Sequence, residues 1–180
     1  MSTNKHTTKK TDQTNSHDLR NAGIPFDLGF INSLNINRSA VERRAATIVT
    51  RRTVKKQHQA AWLLKAISFI DLTTLAGDDT PGKVKRLCQK AKQPVSRELL
   101  EALDVSELNI TTGAVCVYHN MISTAVTALK GTNIPVAAVS TGFPAGQSPL
   151  PIKLSEITAS VDEGAKEIDI VISREKIFTG

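Results

Sequence analysis

Two aspartates stand inside apolar stretches of this 180-residue chain, where a carboxylate could transfer protons. Asp71 follows Phe-Ile and Asp169 lies between two isoleucines. Burying an unpaired carboxylate is costly, so each needs a cation, strong hydrogen-bond donors or a raised pKa. If the isoleucines of 167–172 pack against helices, Asp169 faces the other side of its strand, where it can relay protons to a reacting group. A structural interpretation stays open, in which each aspartate accepts backbone hydrogen bonds at a strand end.

Two smaller polar side chains accompany these aspartates. Cys116 lies in an apolar run, where a buried cysteine is typical of a small hydrophobic residue. Thr73 follows Asp71 at a strand-to-loop junction, where its hydroxyl can bind a substrate or simply complete a turn. Cys88 and Cys116 lack zinc-site spacing, and no HExxH, P-loop or nucleophile-elbow motif occurs. The sequence therefore predicts neither a metal site nor a cofactor.

The elements that must position these residues alternate between strand and helix. Apolar runs predict strands over 66–72, 114–118, 134–139 and 167–172. Helices are predicted from Pro81 after Thr80, over 96–103, over 121–130 and around Leu154, Ile157 and Val161. Repeated βα units require parallel strands, as in an open doubly wound sheet or a (β/α)8 barrel. Gly77-Asp78-Asp79 is not a glycine-rich phosphate loop, which argues against a dinucleotide fold, but periodicity alone does not decide for the barrel.

The chain divides by composition into three predicted regions. Residues 1–22 are rich in Ser, Thr, Asn and Lys, which predicts a disordered polar tail. Residues 23–65 are predicted to be a helical extension, in which Ser39 caps a long, interrupted helix that ends near Lys65. Residues 66–180 are the predicted α/β domain.

Positive charge is concentrated toward the N-terminus. Residues 1–60 hold 11 Lys and Arg against 4 Asp and Glu, whereas residues 61–180 hold 12 against 13. These cations are scattered and have almost no aromatic neighbours, which argues against nucleic-acid binding. No apolar run approaches the ~20 residues of a membrane span, and residues 1–22 lack the apolar core of a secretory signal. The sequence therefore predicts a cytoplasmic protein without a membrane partner.

Four strings, in this order along the chain, resemble the deoxyribose-phosphate aldolase family, and its eukaryotic members in particular. They are FIDLTTL at 69–75, AVCVY at 114–118, GFPAG at 142–146 and EIDIVI at 167–172. The resemblance extends over about residues 35–180, which is most of the chain outside the polar tail.

The resemblance implies an α/β fold of the (β/α)8 TIM-barrel family, truncated to about the first four βα units. It also implies a class I aldolase that reversibly cleaves 2-deoxy-D-ribose 5-phosphate to D-glyceraldehyde 3-phosphate and acetaldehyde through a lysine Schiff base. Asp169 matches the family's proton-shuttling aspartate. Asp71, Thr73 and Cys116 match residues of its substrate pocket.

The sequence departs from the family in one important respect. The Schiff-base lysine of the family lies in a Phe-Ile-Lys-Thr-Ser-Thr-Gly-Lys string, which these 180 residues do not contain. Lys65, Lys166 and Lys176 are most simply surface lysines, because a Schiff-base lysine must be desolvated. The chain alone is therefore expected not to turn over substrate. The alternative is a non-catalytic half-barrel that acts as a binding protein, whose unpaired strand edges favour homo-oligomers or another partner.

Overall fold

The computed structural model describes residues 25–51 and 53–179, and the predicted polar tail at 1–22 lies outside these residues. The chain divides into two compact units, Met1–Arg52 and Thr53–Gly180. Within the described ranges, none of the helices has the length and apolar character needed to cross a membrane.

The described part of the first unit contains two helices, α1 (Leu28–Ser33) and α2 (Arg38–Ile48). The Asn37 side chain caps α2 by accepting a hydrogen bond from the backbone N–H of Ala40. The prediction that Ser39 caps this helix is wrong, because Ser39 lies in the first turn, where its Oγ accepts from Arg43 at 2.7 Å. The predicted interruption of the long helical stretch is confirmed, since α2 ends at Ile48 and the next helix begins at Lys56.

The second unit alternates helices with strands. Its helices are α3 (Lys56–Ile67), α4 (Pro81–Lys92), α5 (Arg97–Ala102), α6 (Ile122–Ala128), α7 (Leu150–Asp162) and α8 (Arg174–Thr179), with 3-10 turns at Ser106–Leu108 and His119–Met121. Its strands are β1 (Asp71–Thr73), β2 (Ala114–Val117), β3 (Val136–Ser140) and β4 (Glu167–Ile170).

The first predicted strand begins too early in the sequence. Ala66 and Ile67 complete α3, and the backbone N–H groups of Ser68, Phe69 and Ile70 donate to carbonyls of residues 65–67 at 3.0–3.1 Å. The apolar run 66–70 therefore closes a helix rather than opening a strand. A short apolar run alone does not distinguish these two structures.

The four strands form one parallel sheet in the order β1-β2-β3-β4. A doubly wound sheet reverses its strand order at a switch point, whereas a (β/α)8 barrel adds each strand beside the preceding one. The observed order confirms the predicted partial barrel of four βα units.

Alternate side chains of the sheet lie in two separate clusters. The larger cluster packs the sheet against helices and includes Val115 and Val117 of β2 with Val84 and Cys88 of α4. The smaller cluster lies on the opposite face and includes Cys116 and Val139, with neighbouring aromatic side chains. The face opposite the helices becomes the interior of a barrel, and its upper end carries the active site in enzymes of this fold.

The loop between β1 and α4 is held by Asp79, whose side chain is only 6% exposed. Its carboxylate accepts from the Thr74 hydroxyl at 2.9 Å and from the Ala76 N–H at 3.1 Å, and it pairs with Lys83 Nζ at 2.6 Å. The bond from Lys83 lowers the pKa of Asp79 despite partial desolvation, and the Thr74 and Ala76 bonds lower it further. The same pair raises the pKa of Lys83.

We expect Asp79→Asn to lower the Tm at pH 7, because the ion pair and its anchoring of the loop are lost. A lowered folded-state pKa stabilises the protein above the ordinary aspartate pKa of about 4, and this contribution disappears as the pH falls through the folded-state value. Thermal unfolding measured from pH 7 to pH 3 should therefore show that the difference in Tm between the unaltered chain and Asp79→Asn becomes smaller as the pH falls. Asp162→Asn is the matched control, since Asp162 is an exposed residue at the end of α7. A difference in Tm that stays constant with pH contradicts this assignment.

Candidate active site

The sheet register places the four predicted site residues on the face opposite the helices. Thr73 of β1 pairs with Cys116 of β2, and Asp169 of β4 pairs with Val139 of β3. Asp71 lies two residues before Thr73 and therefore shares its face. Because Cys116 and Val139 belong to the smaller cluster, these side chains share the face of the sheet opposite the helices.

The pKa of the Cys116 thiol depends on Asp71, Thr73 and Asp169, which indicates that the four side chains lie near one another. Burial raises the pKa of the Cys116 thiol to about 11, and the carboxylates of Asp169 and then Asp71 contribute to the increase. The Thr73 side chain and the Val139 backbone oppose the increase by hydrogen bonding. The thiol is therefore neutral at pH 7, and Cys116 provides a small, weakly polar wall rather than a nucleophile.

The two aspartates are not buried, contrary to the expectation from their apolar neighbours. Asp71, Thr73 and Asp169 are all exposed to solvent, whereas Cys116 is buried. Asp71 lies on the first strand of the described sheet and Asp169 on the last, so each has a neighbouring strand on one side only. Solvent therefore hydrates the carboxylates, and the predicted burial cost does not arise in this structure.

The loop that follows β3 packs against the end of β4. Gly146 adopts φ +71°, and a Cβ at this position would lie 2.9 Å from Val171 Cγ1 and 3.0 Å from the Ile172 carbonyl oxygen. Only glycine fits here, because both the backbone angle and the contact exclude a side chain. Thr141 joins the two segments, as its Oγ1 accepts from the Val171 N–H at 2.6 Å.

Two side chains of α7 hold this loop, and sequence reasoning missed both of them. Lys153 is buried, and its Nζ donates to the Gly146 carbonyl at 2.7 Å and to Ser173 Oγ at 2.6 Å. Glu156, one helical turn later, accepts from the Gly142 N–H at 2.9 Å. The spacing of three residues places both groups on one side of α7, which is a signal that the sequence does contain.

The lysines considered as nucleophiles lie on the surface. Lys65, Lys166 and Lys176 are exposed, in agreement with the prediction, and Lys65 lies 4.8 Å from the centroid of the Phe69 ring. Lys153 is buried, but its amine is bound by the loop and by Ser173. Among residues 25–51 and 53–179, no three His, Cys, Asp or Glu side chains are grouped in a way that could hold a metal ion.

We expect Lys153→Met to destabilise the protein by about 1–3 kcal/mol, because the Gly146 carbonyl loses a charged donor in a buried position. Urea unfolding at pH 7 measures this loss. Lys85→Met is the control, since Lys85 is an exposed residue of α4 and should change stability by less than about 0.5 kcal/mol. Equal effects of the two substitutions would show that the Lys153 contacts do not stabilise the loop.

Comparison with known proteins relates this chain to one enzyme family, although no protein-family model matches it. It is 55% identical over 162 residues to the human deoxyribose-phosphate aldolase, in an alignment that covers 89% of this chain and 51% of the human protein. The mouse deoxyribose-phosphate aldolase is 55% identical over 160 residues, with 88% of this chain and 50% of the mouse protein covered. The chain thus spans about half the length of the curated relatives it matches.

Solved structures agree with this relationship. A Coccidioides immitis protein, provisionally named a deoxyribose-phosphate aldolase, superposes with a TM-score of 0.52 at 27% identity, covering 64% of this chain and 39% of that one. A Toxoplasma gondii protein with the same provisional name has a TM-score of 0.51 at 17% identity, with 69% and 43% covered, and supports the fold alone. In sequence and in its partial barrel, the chain is similar to the deoxyribose-phosphate aldolases, and it spans about half the length of the curated relatives it matches.

Proposed function

We propose that this chain supplies the first four βα units of an aldolase that reversibly cleaves 2-deoxy-D-ribose 5-phosphate to D-glyceraldehyde 3-phosphate and acetaldehyde. The Schiff-base lysine of the reaction comes from residues outside this chain. The identity of 55% to the human enzyme over 89% of the chain carries the proposal. The shared face of Asp71, Thr73, Cys116 and Asp169 supports it.

Asp169 is assigned the proton transfer. The sugar is first bound as a Schiff base, and its carbon–carbon bond is then cleaved. The electron pair of that bond moves to the iminium, and the hydroxyl that becomes the new aldehyde loses its proton. A carboxylate accepts that proton and returns it to the enamine carbon before acetaldehyde is released. The position of Asp169 on the face of β4 opposite the helices suits this role, because its side chain is exposed there and can meet a substrate.

Asp71 and Thr73 are assigned to substrate binding. Their side chains lie on the same face as Asp169 and interact with the thiol of Cys116 from the β1 side. Carboxylate and hydroxyl oxygens accept hydrogen bonds from sugar hydroxyls. The neutral Cys116 thiol adds a compact wall to the pocket, and the reaction draws on no redox chemistry at this sulfur.

The purified 180-residue chain is expected to release no acetaldehyde from 2-deoxy-D-ribose 5-phosphate, because it lacks the lysine string of the family. A coupled alcohol dehydrogenase assay measures the product. Mass spectrometry after borohydride treatment with acetaldehyde is expected to show no more ethyl-lysine than in a control chain of the same composition. Substrate-dependent turnover, or a single lysine modified in preference to the rest, would overturn this part of the proposal.

The role of Asp169 can be measured in a chimaera that joins this chain to the part of the human enzyme beyond the alignment. The chimaera is expected to be active, and Asp169→Asn is expected to lower its kcat by about 10²–10⁴-fold, the usual effect of losing a general acid–base group. Asp162→Asn is the control, since Asp162 is an exposed residue at the end of α7. An inactive but folded chimaera argues against the aldolase assignment, and equal kcat values for the two variants argue against Asp169.

A non-catalytic half-barrel remains the second candidate function. Large apolar side chains are exposed beside both edge strands, including Phe69 and Ile70 before β1 and Ile170 and Ile172 at β4. Such surfaces favour association with another chain. A folded, inactive chimaera together with a tightly associating 180-residue chain would favour this candidate over the aldolase.

A further inference from the structure

Thr141 directly follows β3 and has a backbone conformation that is unusual for a threonine. Its φ is +61°, in the left-handed region that β-branched residues rarely adopt. The residue is only 6% exposed, so it is held by the protein around it. Such an unfavourable conformation persists only where surrounding contacts stabilise it, and these residues are concentrated at functional sites. The contacts of Thr141 therefore indicate what this conformation achieves.

The hydroxyl of Thr141 takes the place of a backbone peptide group in the pairing of β3 with β4. The last backbone pair of the two strands is Ser140 with Ile170. At the next position, Thr141 Oγ1 accepts from the Val171 N–H at 2.6 Å and donates to the Val171 carbonyl at 3.0 Å. A hydroxyl has one donor and two acceptor sites, so it can satisfy both backbone groups of one residue. The side chain thus extends the pairing by one residue after the backbone of Thr141 has turned away.

This extension lies two residues beyond Asp169 on the same segment. Asp169 pairs with Val139, and one further backbone pair, Ser140 with Ile170, follows it. Hydrogen bonds at the end of an element open more readily than those in its interior. The Thr141 hydroxyl therefore keeps Asp169 farther from the end of the paired region than the backbone alone would.

Thr141 also begins the loop that carries Phe143. The Phe143 ring meets Tyr118 edge to face, with the ring centroids 5.9 Å apart, and it packs against the smaller cluster that contains Cys116. This cluster lies on the same face of the sheet as Asp169. The backbone of Thr141 directs the loop, while its side chain holds the segment after β4. One residue therefore fixes the aromatic pair and the carboxylate of Asp169 relative to each other.

We propose that Thr141 is a positioning residue for proton transfer by Asp169. The role rests on the proposed aldolase function and adds a residue that acts through Asp169 rather than on the substrate. A displacement of about 1 Å can lower a catalytic rate by ~10²-fold, because the reacting groups must be aligned. Loss of the Thr141 hydroxyl therefore affects the chemical step more than substrate binding.

The chimaera with the human enzyme provides the first test. Thr141→Val keeps the β-branched shape and removes the hydroxyl, and it is expected to lower kcat by about tenfold or more while KM changes by less than about twofold. Thr141→Ser keeps the hydroxyl and is expected to retain kcat within about threefold. Thr112→Val is the matched control, because Thr112 is also buried and its hydroxyl donates to the Ala114 carbonyl at 3.2 Å. This control is expected to lower the Tm without lowering kcat.

Amide hydrogen exchange provides a second test that does not depend on activity. In the 180-residue chain, the Val171 N–H is expected to exchange about tenfold faster or more in Thr141→Val than in the unaltered chain or in Thr112→Val. Unchanged exchange at Val171 overturns the positioning role. So does an active chimaera in which Thr141→Val lowers kcat no more than Thr112→Val does. A folded chimaera without activity instead overturns the proposed function, and the positioning role falls with it.

Discussion

Parallel pairing in chain order is the constraint on which the rest of this structure depends. Each strand is placed beside its predecessor, so the alternation of side chains along one strand continues in the next. One face of the sheet receives the helices and carries Val115 and Val117. The other face receives Cys116 and the polar residues at the two outer strands. A shift of one residue in any strand would exchange these two sets and remove the site.

The candidate site is assembled from both ends of the sheet around a buried centre. Asp71 and Asp169 approach the same thiol from the first and the last strand, although almost a hundred residues separate them in the sequence. The loop after β3 supports this arrangement from the side, because Lys153 and Glu156 tie it to α7 and to the end of β4. One helix therefore holds both the loop after β3 and, through Ser173, the segment that follows β4.

Local chemistry was readable from the sequence, and distant contacts were not. The helix start at Thr80–Pro81 was predictable from local sequence. Threonine can cap a helix with its own side chain, and proline at the first helical position lacks only an N–H group that would have no partner there. The run 66–70 was misassigned, since apolar content does not separate a helix end from a strand. Burial of Lys153 depends on a carbonyl and a hydroxyl in other segments, and exposure of Asp169 depends on which strands flank β4. Neither property is encoded by neighbours along the chain.

The buried thiol of Cys116 does not react as a nucleophile while the strands on either side of it are paired. Its high pKa keeps it protonated at neutral pH, and its neighbours on β1 and β3 shield the sulfur. A thiol reagent can therefore modify Cys116 only during excursions in which the sheet opens, and a carboxylate-rich surrounding slows an anionic reagent further. The rate at which the reagent labels the Cys116 sulfur therefore reports how often the sheet opens locally around β2.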